Sequence, residues 1–217
     1  MTYIQERRQE ERDRRRGEIL DAAEALYADA GWDTVTMDQL ARRARLSRAL
    51  IYVYFRDKTD LHLAIVERAL ERLRDRMAAA AASRPLGLDQ LEAIGWAYMA
   101  FASEEPHRFD ACARFEAHAP DPDGTDPAST ACLQMAHQVH EIVATAIERG
   151  VDDGSIRKDV GDPLVTALSL WAFTHGAIQV ARTKGAQITH EGIAIDTLMA
   201  SSIQLIRRAL LPPDRPA

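Results

Sequence analysis

Apolar residues recur at three- and four-residue intervals along nearly the whole chain, the spacing of amphipathic helices and not of strands. A first helix is predicted over about residues 15–30, with Leu20, Ala23, Leu26, Tyr27 and Ala30 inward. Gly31 stops it, and Trp32 can fold back over its end. Thr36 with Gln39 forms a capping box for a second helix, whose Met37, Leu40, Ala41 and Ala44 fall on one face. Ser47 caps a third only about three residues after the second ends, a gap that suits a helix-turn-helix or a helical hairpin. Asp57 caps a fourth, running from near Lys58 through Leu61, Ile65, Leu70, Leu73 and Met77 to about Ala82, some 36 Å long.

Residues 83–87 break the pattern, and further helices are expected over about 89–103, from Pro106, and over 128–149, 163–184 and 190–210. The fifth is apolar over most of its circumference and so reads as buried. Residues 119–127 hold three prolines and a glycine among acids and read as a loop, and Gly150 is expected to end the seventh helix. On the eighth, Leu164, Leu168, Trp171, Ala172, His175, Ile178 and Gln179 share the inward side. On the ninth, Ile195, Leu198, Met199, Ser202, Ile203, Ile206 and Ala209 recur at helical spacing. The fold class is all-α, about nine helices, with a three-helix helix-turn-helix domain over 1–58 and a helical domain over 59–217.

The third helix places Ile51 and Phe55 together on one side. Across from them stand Ala49, Leu50, Tyr52 and Val53, flanked by Arg48 and Tyr54, where a solvated helix would carry charges. Residues 42–58 contain six basic side chains (Arg42, Arg43, Arg45, Arg48, Arg56, Lys58) against Asp57. Cations beside amphipathic aromatics suit a phosphate backbone with base edges between the phosphates, so double-stranded DNA is the expected partner. A solvated hairpin with core tyrosines is the plainer alternative.

Charge sharpens this picture. The 217 residues carry a net −6, split as +1 over residues 1–58 and −7 over 59–217, which argues against indiscriminate nucleic-acid coating and leaves room for a local basic footprint. Residues 1–16 alternate acids with arginines and read as a solvated helical lead-in, whose arginines lie near enough to the head to reach a DNA backbone or minor groove. An apolar content of 47% supports a core. No apolar run near 18 residues and no signal-peptide pattern is read, and Cys112 and Cys132 form no disulfide framework, so a cytoplasmic protein with no membrane partner is expected.

Residues 19–61 resemble the DNA-binding domain of the TetR (tetracycline-repressor) family of one-component transcriptional regulators. The resemblance is carried by Ile19-Leu20-Asp21-Ala22-Ala23, Gly31, Thr34-Val35-Thr36-Met37, Leu40-Ala41, Ala44-Arg45-Leu46-Ser47, Ile51-Tyr52-Val53-Tyr54-Phe55 and Lys58-Thr59-Asp60-Leu61. Two positions depart from the family pattern, Arg45 and Ala49, where glycine is common. The resemblance implies a homodimer through the last two helices, and a repressor released from a near-palindromic operator by a small-molecule effector. Packing of both last helices into one chain's own core is the alternative for them. It further implies that the fourth helix transmits ligand state to the DNA heads. In this reading Thr36, Ser47, Arg48, Tyr54 and Lys58 hold phosphates, with Arg45 a possible addition, and Ala49, Leu50 and Tyr52 face base edges.

No catalytic pattern is present: the His190-Glu191-Gly192-Ile193-Ala194 run has Ala194 where a zinc-protease motif needs its second histidine. No enzyme activity and no cofactor are expected. His137 with His140 at i, i+3, and His118 with Glu116, make a metal arithmetically conceivable, and hydrogen-bonded histidines explain the same letters. An effector pocket is expected from Trp96, Met99, Phe109, Cys112, Phe115, Met135, Trp171 and Phe173, with Glu116, His140, His175 and Gln179 as polar anchors. A core with tolerated polar tips would use the same residues. The rival to the regulator as a whole is a helical ligand- or metal-binding module that does not touch DNA.

Overall fold

The computed structural model describes residues 3–117 and 126–213; most of the expected loop over 119–127, and His118, lie outside them. Nine α-helices are present among the described residues: α1 Tyr3–Ala30, α2 Met37–Ala44, α3 Arg48–Tyr54, α4 Lys58–Ala82, α5 Gly87–Glu104, α6 Pro106–Ala117, α7 Pro127–Asp152, α8 Pro163–His190 and α9 Ile195–Leu210. A short 3-10 turn, Trp32–Thr34, joins α1 to α2.

The chain divides into two compact units. The first takes the described residues up to Ala69 and those between Glu105 and Cys132; the second takes Leu70–Glu104 and everything from Leu133. The division between the units lies inside α4, between Ala69 and Leu70, and α6, expected among the effector helices, belongs to the first unit.

In the first unit Ile19, Ala23, Leu40, Ile51, Phe55, Leu61 and Ile65 are sealed from solvent, so α1 to α4 share one core on which α3 is mounted. Gly31, at φ +77°, turns the chain where a side chain would be strained, and Trp32 packs on Tyr27 with ring centroids 5.5 Å apart. Ala30 is exposed, contrary to expectation, while Glu24 on the same helix is buried. Its carboxylate meets Arg108 of α6 at 2.8 Å and Arg68 of α4 at 3.6 Å. Arg108 also pairs with Glu105.

In the second unit, helix boundaries depart from the sequence reading for a tertiary reason. α5 starts two residues early because its first amides are capped from far away, Gly87 N–H donating to Asp153 (2.8 Å) and Leu88 N–H to Ser155 (3.1 Å). α7 continues through Gly150 to Asp152, and Gly150 serves close packing there, not helix termination. α8 runs on to His190, beyond the expected end at 184, and α9 begins only at Ile195.

The inward side of α8 is formed by Ala167, Thr174 and Ile178, and not by Leu164, Leu168 and Ala172, which are exposed. α9 lays Met199, Ser202 and Ile203 against the chain's own helices. Left uncovered are Val165, Leu168, Phe173 and Val180 of α8 and Leu205 of α9. The expectation of no long apolar run is also corrected. α8 is long and apolar enough to cross a membrane by length and composition, with mean hydropathy 1.3, yet only 17% of that window is buried.

Candidate nucleic-acid interface

The reading head follows from local chemistry. Thr36 caps α2 through a reciprocal capping box, its hydroxyl accepting from Gln39 N–H (3.2 Å) while Gln39 Oε1 accepts from Thr36 N–H (2.8 Å). α2 ends in a Schellman turn: Leu46 N–H donates to Ala41 C=O (2.9 Å) and Arg45 N–H to Arg42 C=O (3.2 Å). This requires the left-handed conformation at Arg45 (φ 56°, ψ 41°), the one non-glycine with positive φ among the described residues. Ser47 then caps α3 by accepting from Leu50 N–H at 3.2 Å.

Arg45→Gly is therefore expected to stabilise the protein by about 1 kcal/mol, since glycine carries no steric penalty there. If Arg45 also touches a phosphate, the same variant loses DNA affinity and flattens the salt dependence by about one unit of slope. Urea unfolding checks the first effect, and a loss of stability would show that the turn is held by Arg45 contacts.

Ile51 and Phe55, on the inner side of α3, are 0% and 1% exposed, so the helix cannot roll without unsealing the core. Its other side is open: Ser47, Arg48, Ala49, Tyr52 and Val53 are exposed, and Leu50 and Tyr54 are half-buried at the edges. Tyr52 at 41% and Val53 at 64% are apolar surface that water has not been excluded from. Arg48 is pre-positioned by Asp38 of α2 (3.2 Å) and lies 5.6 Å from the Tyr52 ring centroid. Of the sequence-derived set, Arg45, Ser47, Arg48, Ala49, Leu50, Tyr52 and Tyr54 lie on α3 and the turn before it, while Thr36 stands at the N-terminal cap of α2.

Lys58 is placed differently from a free phosphate-seeking cation. Its ammonium donates to the Trp32 carbonyl (2.7 Å) and sits 4.9 Å from the Trp32 ring centroid, tying the first turn of α4 to the 3-10 turn that follows α1. Burial pulls its pKa down. Sequence periodicity has no signal for this contact, because its partner is a backbone carbonyl 26 residues away.

The second unit contains an apolar cavity of about 50 Å³. Its walls include Met77 of α4, Leu91 and Tyr98 of α5, Val139 and Val143 of α7, Leu170 and Trp171 of α8, and Ile203 and Ile206 of α9. Polar groups are few: His140, Thr174, and the pair Glu92 and Arg207, the guanidinium being held by Glu92 and by Asp89 at 2.8 Å each. His140 packs edge-on to Trp171, and burial lowers its pKa, favouring the neutral ring.

Of the sequence-derived effector residues, His140 and Trp171 line this cavity. Trp96, Met99, Met135, His175 and Gln179 are in the same unit and outside its lining, and Phe173 is 45% exposed. Phe109, Cys112, Phe115 and Glu116 are on α6, in the first unit, where Cys112 and Phe115 are core. His175 accepts or donates at the Tyr98 hydroxyl (2.8 Å) and at Gln179 (3.3 Å), a polar tie between α5 and α8. The missed liners on α9 were hidden because their helical repeat reads equally well as a dimer face.

The histidines proposed for a metal separate: His137 pairs with Glu141 at 3.3 Å while His140 faces Trp171. Among the described residues no group of three or more His, Cys, Asp or Glu side chains is placed to hold an ion.

Comparison with known proteins now decides the family. Residues 19–65 match the family model described as bacterial regulatory proteins, tetR family, and residues 91–203, just over half of the chain, match the tetracyclin repressor-like C-terminal domain. The chain belongs to the TetR family of transcriptional regulators. Within it, 62 residues are 39% identical to the transcriptional activator FasR of Mycolicibacterium smegmatis, covering 29% of this chain and 28% of that protein. A bacterial regulatory protein of the tetR family from Rhodococcus RHA1 shares the fold at a TM-score of 0.69 with 18% identity, over 92% of this chain and 98% of that one. A Rhodococcus sp. RHA1 protein of unknown function matches at a TM-score of 0.75 with 24% identity, over 91% and 96%. The match spans only 28% of the length of FasR and does not carry over an activator's role.

Proposed function

We propose that this TetR-family regulator is a homodimeric, ligand-responsive repressor that docks α3 of each chain in successive major grooves of a near-palindromic operator. The observation that carries this reading is α3 itself: an inner side sealed by Ile51 and Phe55, and an outer side of Ser47, Arg48, Ala49 and Tyr52 open to a partner. Ser47, Thr36, Arg45, Arg48, Tyr54 and Lys58 take the phosphates in this reading, Lys58 by exchanging a carbonyl for one. Ala49, Leu50 and Tyr52 take base edges, the small apolar pair suiting thymine methyls.

Residues 1–58 act as the DNA head and 59–217 as the effector and dimerisation domain. The uncovered apolar residues of α8 and Leu205 of α9 support pairing of these helices with a second copy. A repressor works where its operator is, which makes the protein cytoplasmic.

The effector is a small molecule with an apolar body, received by the α5–α9 cavity. At about 50 Å³ the cavity is well below the roughly 300 Å³ of ordinary ligand sites, so entry has to part these helices. Met77 of α4 is among the walls, and α4 is the helix whose first turn Lys58 ties to the head. An effector that favours the parted state thereby lowers affinity for DNA.

Selection of bound duplexes from a random library by the purified protein tests the reading. The expected outcome is a two-fold-symmetric consensus with two chains per duplex. No enrichment, with equal weak binding at every salt concentration, would overturn it and leave the non-DNA helical module.

A further inference from the structure

α1 is far longer than a three-helix head requires. The tetR family match begins at residue 19, and α1 begins sixteen residues earlier, at Tyr3. At 1.5 Å per residue the extension is about 24 Å of helix, the length of roughly seven base pairs. An isolated helix of this length is marginal in water. This one is supported by pairs along its own surface: Arg14 with Glu11 (2.6 Å) and Glu18 (2.5 Å), Arg15 with Glu18 (2.8 Å), and Gln9 with Asp13 (2.8 Å).

The acids on it are sorted by side, with Arg7 and Arg14 among them. At about 100° per residue, all five acids of the extension, Glu6, Glu10, Glu11, Asp13 and Glu18, fall on one half of the circumference. The other half holds Arg8, Arg12 and Arg16 at i, i+4 and i+8, with Gln5 and Gln9 between them. This is the side that, two turns on, buries Ile19 and Ala23 in the head. Arg16 marks the junction, its guanidinium 5.2 Å from the ring centroid of Phe55, the residue that ends α3. Beyond that point the stripe leaves the core, and Arg8 and Arg12 are exposed, outside the ion-pair ladder that links Glu11, Arg14, Arg15 and Glu18.

We infer that the Arg8–Arg12–Arg16 stripe is a second DNA contact, a phosphate-binding rail continuous with the reading helix that lengthens the footprint of each head on the duplex. The occupant is the DNA backbone because the stripe, which follows the exposed Ile4 at its outer end, offers three cations and two amides and no further apolar residue until it enters the head. It also starts from the C-terminal end of the helix that enters the groove. Arg8 and Arg12 position the protein without reading sequence. The inference rests on the DNA-binding reading above.

The test compares the wild type with R8Q/R12Q and with E6Q/E10Q on the duplex selected from the random library and on a scrambled one, across a salt series. For R8Q/R12Q the expected result is a plot of log K against log salt that is shallower by about 1.8 per protomer, two phosphates at about 0.9 each. Affinity falls alike on both duplexes, the thermal midpoint is unchanged, and hydroxyl-radical protection retreats at the outer flanks. E6Q/E10Q adds the opposite change of net charge on the acidic side and is expected to leave the slope as it is.

An unchanged slope in R8Q/R12Q on a duplex that the wild type binds selectively would overturn the rail and leave the DNA-reading function standing. A slope that moves equally in both variants would reduce the effect to net charge and overturn it too. A wild type that selects no duplex would overturn the function and the rail together.

Discussion

Gly87→Ala is expected to unfold or severely loosen the second unit, costing about 3 kcal/mol or more. A Cβ at this position would overlap the backbone N and Cα of Gly150 and the carbonyl oxygen of Ala146. Backbone cannot rotate out of the way, so one helix must move, and with it the caps that Asp153 and Ser155 supply to the start of α5. Gly150→Ala is the control. Its new Cβ would meet Cδ1, Cγ1 and Cβ of the buried Ile156, a side chain and not backbone, so that local repacking can relieve part of the overlap, and a smaller cost of roughly 1–2 kcal/mol is expected. At 2–4 °C per kcal/mol for a chain of this size, thermal melts should separate the variants by several degrees. Equal midpoints would mean that α5 and α7 do not pack backbone to backbone.

Arg108→Ala should be the most damaging charge removal in the first unit. Glu24 is 7% exposed, and its Oε2 accepts from Arg108 at 2.8 Å, with Arg68 more distant at 3.6 Å. Glu24 Oε1 is buried with no hydrogen-bond partner among the described residues. Truncating Arg108 leaves a carboxylate largely desolvated and poorly matched, a situation that costs roughly 3 kcal/mol. The replacement of both partners by uncharged groups of similar shape, Glu24→Gln with Arg108→Met, should recover most of that loss, because the desolvation penalty goes with the charge. Urea unfolding of the two single variants and the double variant gives the coupling directly. Losses that simply add would assign the effect to packing of the Arg108 stem and not to the pair.

These two sites were not legible in the sequence, and the reasons differ. Gly87 stands in a Pro-Leu-Gly break and looks like a turn residue; that its missing Cβ admits another helix depends on a partner 63 positions away. Glu24 sits among exposed acids of a helix with no periodic mark to set it apart. The DNA head was legible because its determinants are local: a capping box spans four residues, a Schellman turn six, and the inner pair Ile51 and Phe55 five. Arg45, read as a departure from the family's glycine, proves compatible with the left-handed turn.

The sequence alone determined the all-α class, the helix-turn-helix over Thr36 to Lys58 and the family resemblance, since each depends on residues within a few turns of one another. Only the tertiary structure decided the remainder. It assigned α6 to the head unit, capped α5 from the loop after α7, sent Lys58 to the Trp32 carbonyl, and turned Ile203 and Ile206 of α9 toward a cavity. In an α-helical chain every apolar stripe announces that it will be buried and none announces against what, because periodicity encodes a face and not its partner. Which stripes meet, and which are left for a second chain, for DNA or for a ligand, is settled by packing among elements distant in sequence.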